Sequence, residues 1–211
     1  AQPNAGLASG AQAICSNGTS TFTTTGVGGT WSSSNTSIAT INATTGEITP
    51  VSAGSATMTY TVIGTGGCTN ETATRTVSIT QEPSSGRLSG TQTVCSNATT
   101  TFSSDVAGGS WTSGNTAIAT VNATSGVITP VSAGTATMTY TVVGTGGCAD
   151  AFDTRDVTVN AAPTAIINNN SGTSEITCGR PSISLSADGG TGYSWSNGTS
   201  VVSAVADLTV T

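Results

Sequence analysis

Residues 54–62 read Gly54-Ser55-Ala56-Thr57-Met58-Thr59-Tyr60-Thr61-Val62, and residues 134–142 read Gly134-Thr135-Ala136-Thr137-Met138-Thr139-Tyr140-Thr141-Val142. In each, hydroxyl side chains alternate with apolar ones. An extended chain then carries a hydroxyl face and an apolar face, as a half-buried β-strand requires. Val77 and Ile79 alternate with Thr76, Ser78 and Thr80 in the same manner. No window holds the 3.6-residue stripe of a helix. Turn signals separate the runs at Asn17-Gly18, Gly28-Gly29, Thr45-Gly46, Ala53-Gly54 and Gly66-Gly67. Pro50 lies inside a short run, which predicts an edge strand there, because proline cannot donate to a ladder.

The two quoted stretches belong to a larger repeat. Cys15-Ser16-Asn17, Gly28 to Trp31, Ile38-Ala39-Thr40 and Ile48 to Gly54 recur, with no gap in the alignment, as Cys95-Ser96-Asn97, Gly108 to Trp111, Ile118-Ala119-Thr120 and Ile128 to Gly134. More than half of the aligned positions are identical between residues 4–83 and 84–163. This is a duplicated domain and not low complexity. The sequence therefore divides into residues 1–83, residues 84–163, and a partial third unit over residues 164–211. Pro83 and Pro163 close the two copies, and such joints are too short and stiff to act as free tethers. In the third unit, Cys178 and Trp195 echo Cys15 and Trp31 at nearly the same separation, but nothing after Trp195 matches the Tyr60 strand. The expectation is that this unit is truncated on its C-terminal side and that the protein continues.

About seven short strands per copy, with a tryptophan near the third and a tyrosine on the sixth, predict tandem all-β, antiparallel β-sandwiches of immunoglobulin type, arranged end to end. Trp31, Trp111, Trp195, Tyr60 and Tyr140 are the predicted core aromatics.

Gly29-Thr30-Trp31-Ser32-Ser33-Ser34-Asn35, Ile38-Ala39-Thr40-Ile41, Gly46-Glu47-Ile48-Thr49 and Ser52-Ala53-Gly54-Ser55-Ala56-Thr57-Met58-Thr59-Tyr60 resemble the bacterial Ig-like domains of group 2. The resemblance covers both complete copies. The last unit, with Ser184 to Ala187 and Tyr193-Ser194-Trp195-Ser196-Asn197-Gly198, resembles instead the Ig-like or PKD-like modules of very large secreted adhesins of gliding bacteria. The resemblance implies a secreted protein at the bacterial cell surface and a stalk or adhesin role. It names no ligand, because fold does not fix function.

Composition narrows the function classes. The chain has no histidine, no lysine, four arginines and ten acidic residues, for a net charge of −6. That balance lacks the basic footprint that nucleic acid or an anionic membrane requires. Apolar runs are far shorter than the ~20 residues of a membrane-spanning helix, so no membrane insertion is expected. Serines abound, but no histidine or lysine stands ready to activate one, and ten scattered acids give no paired carboxylates. The expectation is a non-enzymatic protein without cofactor or metal. Asp105, Asp150, Asp153 and Asp156 suggest calcium only in the second copy, since the first has Asn70, Ala73 and Thr76 opposite the last three; a solvated edge is the plainer reading. Asn17-Gly18-Thr19, Asn42-Ala43-Thr44, Asn97-Ala98-Thr99 and Asn197-Gly198-Thr199 match glycosylation acceptors. In so Thr- and Asn-rich a chain, chance explains them.

The five cysteines carry the remaining chemistry. Cys15 and Cys68, and again Cys95 and Cys148, stand far apart at one and the same separation, and none has the spacing of a zinc or redox motif. Disulfides in an oxidising compartment are the plain reading. Pairing within each copy, Cys15 with Cys68 and Cys95 with Cys148, meets a geometric difficulty. The strands that follow Cys15 and precede Cys68 run the same way in an immunoglobulin order, which sets the sulfurs at opposite ends of a sandwich. In an end-to-end stack the staggered pair Cys15 with Cys148 becomes reachable. Both schemes stand open at this level, with Cys178 left odd. Partners expected are neighbouring Ig-like domains of the same chain, further copies in a filament, or surface glycans met by loops at the sandwich ends.

Overall fold

The structure is a computed structural model that describes residues 2–180, 182–197 and 199–210. It is all-β. The first unit contains β1 (Ala8–Ser9), β2 (Ala13–Cys15), β3 (Ser20–Thr21), β4 (Thr23–Thr24), β5 (Thr30–Ser33), β6 (Ala39–Ile41), β7 (Glu47–Pro50), β8 (Gly54–Val62) and β9 (Glu71–Thr80). A four-stranded sheet, β2-β9-β8-β5, faces a three-stranded sheet, β3-β7-β6, with the ribbon β1-β4 beside it.

The second unit repeats every element. Its strands are β10 (Leu88–Ser89), β11 (Thr93–Cys95), β12 (Thr100–Thr101), β13 (Ser103–Ser104), β14 (Ser110–Ser113), β15 (Ala119–Val121), β16 (Val127–Pro130), β17 (Gly134–Val142) and β18 (Ala151–Asn160). Their order is the same. The third contains β19 (Ile166–Asn169), β20 (Ile183–Asp188), β21 (Trp195–Ser196), β22 (Val201–Ser203) and β23 (Asp207–Val210), in a three-stranded sheet β19-β20-β23 and a hairpin β21-β22.

Period-two alternation decides which side chains are buried. Along β8, Ala56, Met58, Tyr60 and Val62 are buried while Thr57, Thr59 and Thr61 lie on the other face. Opposite them come Phe22, Ala39 and Ile48 from the second layer. Trp31 sits between two rings, Phe22 at 6.2 Å and Tyr60 at 5.2 Å between centroids, both tilted as aromatic quadrupoles prefer. Phe102, Trp111 and Tyr140 form the same triplet, at 6.1 and 5.0 Å. The Tyr60 hydroxyl accepts the Gly29 N–H at 2.8 Å; the Tyr140 hydroxyl accepts the Gly109 N–H and donates to the Val106 carbonyl, each at 2.8 Å.

Several expectations need correction. Each copy has nine strands rather than seven: in the first, the run from Thr19 to Thr25, which the alternation of the sequence leaves as one strand, breaks at Phe22 into two, and a further short strand, β1, pairs with the second of them. The first half of the run pairs with β7 and its second half with β1, while Phe22 drops into the core with its N–H bonded to the Gly46 carbonyl at 2.9 Å. The sandwich is not wholly antiparallel, because β2 pairs with β9 in parallel register, Cys15 opposite Thr80. Pro50 is not on an edge strand: β7 is central. Its missing N–H points toward the β3 side, where pairing has already ended at Ser20 opposite Ile48, so no ladder bond is lost.

Trp195 does not join a core. It is half-buried, with its indole N–H donated to the Val205 carbonyl at 2.8 Å. Ile183 is the only buried hydrophobic among the described residues of the third unit, so its two small sheets enclose too little apolar surface to cover an indole.

Arg75 and Arg155 play the same structural part in the two copies. The Arg75 guanidinium lies 5.6 Å from the Phe22 centroid and donates to the carbonyls of Gly10 (2.9 and 2.6 Å) and Ala8 (3.5 Å). Arg155 covers Phe102 at 5.4 Å and donates to Leu88 and Gly90. Each arginine thus ties the long strand of one sheet to the ribbon beside the other.

Candidate functional site

The joint between the first and second units is the place where chemistry has been done. β2 and β9 run in parallel and end side by side at Cys15 and Thr80, so the first sandwich presents both at the end from which the chain leaves for the second. There the Ser16 N–H is bonded to the Thr80 carbonyl at 2.8 Å, and the Ser16 hydroxyl accepts the Glu82 N–H at 3.0 Å. These bonds hold the first residues of the linker against the sandwich.

The second unit meets this end with its β17–β18 loop, Val143-Gly144-Thr145-Gly146-Gly147-Cys148-Ala149-Asp150. The loop is shaped from within: the Cys148 N–H bonds the Thr145 carbonyl at 3.1 Å, and the Asp150 carboxylate accepts the Gly144 N–H at 2.8 Å. Gly146 and Gly147 have φ of 60° and 87°, a region that side-chain-bearing residues rarely adopt. Space requires glycine at Gly146 as well, where a Cβ collides with the Thr80 side chain, and a Cβ on Gly147 would make a tight contact of 3.3 Å with the Ala13 carbonyl oxygen.

Cys15 is bonded to Cys148, with their Cα atoms 4.6 Å apart. The Cys148 sulfur also lies 3.6 Å from the carbonyl oxygens of Thr80 and Gln81. These are contacts and not hydrogen bonds, since a disulfide sulfur has no hydrogen to donate. Cys15 is buried, while Cys68, Cys95 and Cys178 are free and exposed. Of the two schemes open in the sequence, the staggered one is therefore what the structure contains. The bond bridges a sequence separation of 133 residues.

The other residues singled out in the sequence fall elsewhere. Trp31, Tyr60, Trp111 and Tyr140 are buried in the two cores. Asp150 shapes its own loop, Asp153 accepts the Thr154 N–H, and Asp156 accepts the Thr137 hydroxyl at 2.7 Å. Sequence reading passed over Arg75 and Arg155. The signal was present: in a chain with so few cations, these two occupy the same position of the two copies.

A second feature lies at the third unit, where Pro163, Ile166, Asp188, Gly192, Tyr193 and Trp195 contribute to a shallow cleft of about 270 Å³. Its lining is mostly apolar and includes the half-buried Trp195.

No protein-family model matches the chain, and no curated protein is similar to it. Solved structures are similar to it at low identity. One is the C-terminal 282-residue fragment of intimin in complex with the intimin-binding domain of the translocated intimin receptor, at 16% identity and TM-score 0.44, covering 80% of this chain and 67% of that one. Another is a SusE-like, surface-located polysaccharide-binding protein from the heparin utilisation locus of Bacteroides thetaiotaomicron, at 12% identity and TM-score 0.30, covering 78% and 36%. A third is domains 4 and 5 of the S-layer protein SbsC, at 19% identity and TM-score 0.28, covering 68% and 82%. The immunoglobulin-like layout of this chain rests on its own strand order and register.

Proposed function

We propose that this chain is a non-enzymatic structural segment of an extracellular stalk or adhesin on a bacterial cell surface, and that its two complete units are group 2 bacterial Ig-like domains. The observation that carries the reading is the Cys15–Cys148 bond. It joins consecutive sandwiches instead of cross-linking one, so it does nothing for a recognition loop and much for the continuity of a rod. Disulfides persist in oxidising compartments, in keeping with an exported protein. The absence of histidine and lysine leaves serine without an activating base, in keeping with a protein that performs no catalysis.

Tension applied to the chain ends passes from residue 15 to residue 148 through sulfur. The strands from β3 to β17 then lie on a closed loop in parallel with the load, while β18 stays in series with it. Single-molecule pulling on the whole chain tests this. Adding a reductant should release roughly 450 Å of extra contour length, from 133 residues at about 3.4 Å each. Equal extension with and without reductant overturns the mechanical reading.

The cleft beside Trp195 favours one second reading, a carbohydrate-binding module, because a half-exposed indole offers part of a flat apolar face to a sugar ring. Glycan binding that disappears in Trp195→Ala would support it.

A further inference from the structure

The duplication leaves each half of the stitch present once more, and free. Cys95 holds in the second copy the position that Cys15 holds in the first, and Cys68 holds in the first copy the position of Cys148 in the second. Both are exposed thiols. We propose that Cys95 of one chain bonds Cys68 of a second copy, building the same joint between molecules that Cys15 and Cys148 build within one. The inference rests on the structural reading above and names its partner.

The loop around Cys68 already has the docked shape. Its Cys68 N–H bonds the Thr65 carbonyl at 3.3 Å, and Asn70 accepts the Gly64 N–H at 3.0 Å, in the place of Asp150. Gly66 and Gly67 have φ of 64° and 86°, close to the values at Gly146 and Gly147. Yet no atom lies within 4 Å of a Cβ built on either, where Thr80 and Ala13 crowd their counterparts. The plug is formed and uncovered.

The socket at Cys95 is formed as well. Cys95 pairs in parallel register with Asn160, as Cys15 does with Thr80. The Ser96 N–H bonds the Asn160 carbonyl at 2.8 Å, and the Ser96 hydroxyl accepts the Ala162 N–H at 2.9 Å. Where Cys15 is covered, Cys95 remains exposed although the third unit follows it. Residues 164–211 contain Cys178 but no Thr-Gly-Gly-Cys loop like those at residues 65–68 and 145–148. A joint of this kind uses different surfaces on its two sides, and a heterologous contact that does not close on itself propagates as an open chain. With a net charge of −6 over 211 residues and no lysine, repulsion between copies is weak.

Bond formation needs an oxidant, here a low-molecular-weight disulfide such as oxidised glutathione. The Cys68 thiolate attacks one of its sulfurs, forming a mixed disulfide and expelling one thiolate. The Cys95 thiolate of the next chain then attacks the Cys68 sulfur and expels the second. Two protein thiols lose two protons and two electrons, and the oxidant leaves as two thiols.

The test uses the whole chain with Cys15–Cys148 intact, incubated in a glutathione redox buffer and run on a non-reducing gel. The expected result is a ladder that persists in Cys178→Ser, vanishes in Cys68→Ser alone and in Cys95→Ser alone, and stops at dimer when those last two variants are mixed. Trypsin with chymotrypsin places the five cysteines on five separate peptides, and mass spectrometry should find residues 61–75 linked to residues 88–102. Glutathionylated monomer, a Cys95 to Cys178 link, or symmetric Cys68 or Cys95 pairs overturn the proposal. A monomer that keeps Cys15–Cys148 and its reductant-dependent extension overturns this inference while leaving the stalk reading intact.

Discussion

The first two units and the third use the same vocabulary with different results. In the twins, tryptophan lies between a phenylalanine and a tyrosine, and every buried hydrophobic among the described residues except Ile183 belongs to these units. In the third, Trp195 has a comparable cysteine upstream and a comparable strand, yet it stays half in solvent. The difference teaches that a tryptophan at the right spacing does not make a core. It is buried when a second layer arrives to cover it, as Phe22, Ala39 and Ile48 do for Trp31.

The sharpest way to break that comparison is truncation of the indoles. Trp31→Ala or Trp111→Ala should cost about 3–5 kcal/mol in chemical denaturation, the range for large aromatic deletions in packed cores. Trp195→Ala should cost less than about 1 kcal/mol, because little packing is lost. Equal effects at the three sites refute the distinction. Next in size is the arginine clasp: Arg75→Met keeps an apolar stem over Phe22 but removes the charged donor from the Gly10 carbonyl. A loss of about 2 kcal/mol is expected, in line with hydrogen bonds made by charged groups. The smallest effect separates the two twins. Tyr140→Phe forfeits two hydrogen bonds and Tyr60→Phe one, so urea midpoints should report about 2 and about 1 kcal/mol.

Much of this fold was legible because alternation is local. Which side chains of β8 point inward follows from the order Ala56-Thr57-Met58-Thr59-Tyr60 alone. The repeat then fixed a second copy without further reasoning. What stayed hidden depends on direction and on neighbours. A period of two reads the same for parallel and antiparallel strands, so the pairing of β2 with β9 left no mark in the sequence. Phe22 sits in an unbroken Thr-rich run, and the switch of partners there is enforced by the core that receives its ring. Pro50 is tolerated in a central strand only because β3 is short. The cysteine pairing lay between these extremes. Sandwich geometry argued against the in-copy scheme, but choosing between the two needed the actual ends of β2 and β8.

The sulfur bridge also changes what it takes to cut the molecule. Backbone cleavage anywhere between residues 16 and 147, at the exposed Arg87 for example, leaves both fragments fastened through Cys15 and Cys148. Severing the tether within that span demands a reductant in addition to a protease, a combination seldom met outside a cell. An array jointed in this manner would stay in one piece after damage that parts an ordinary string of domains.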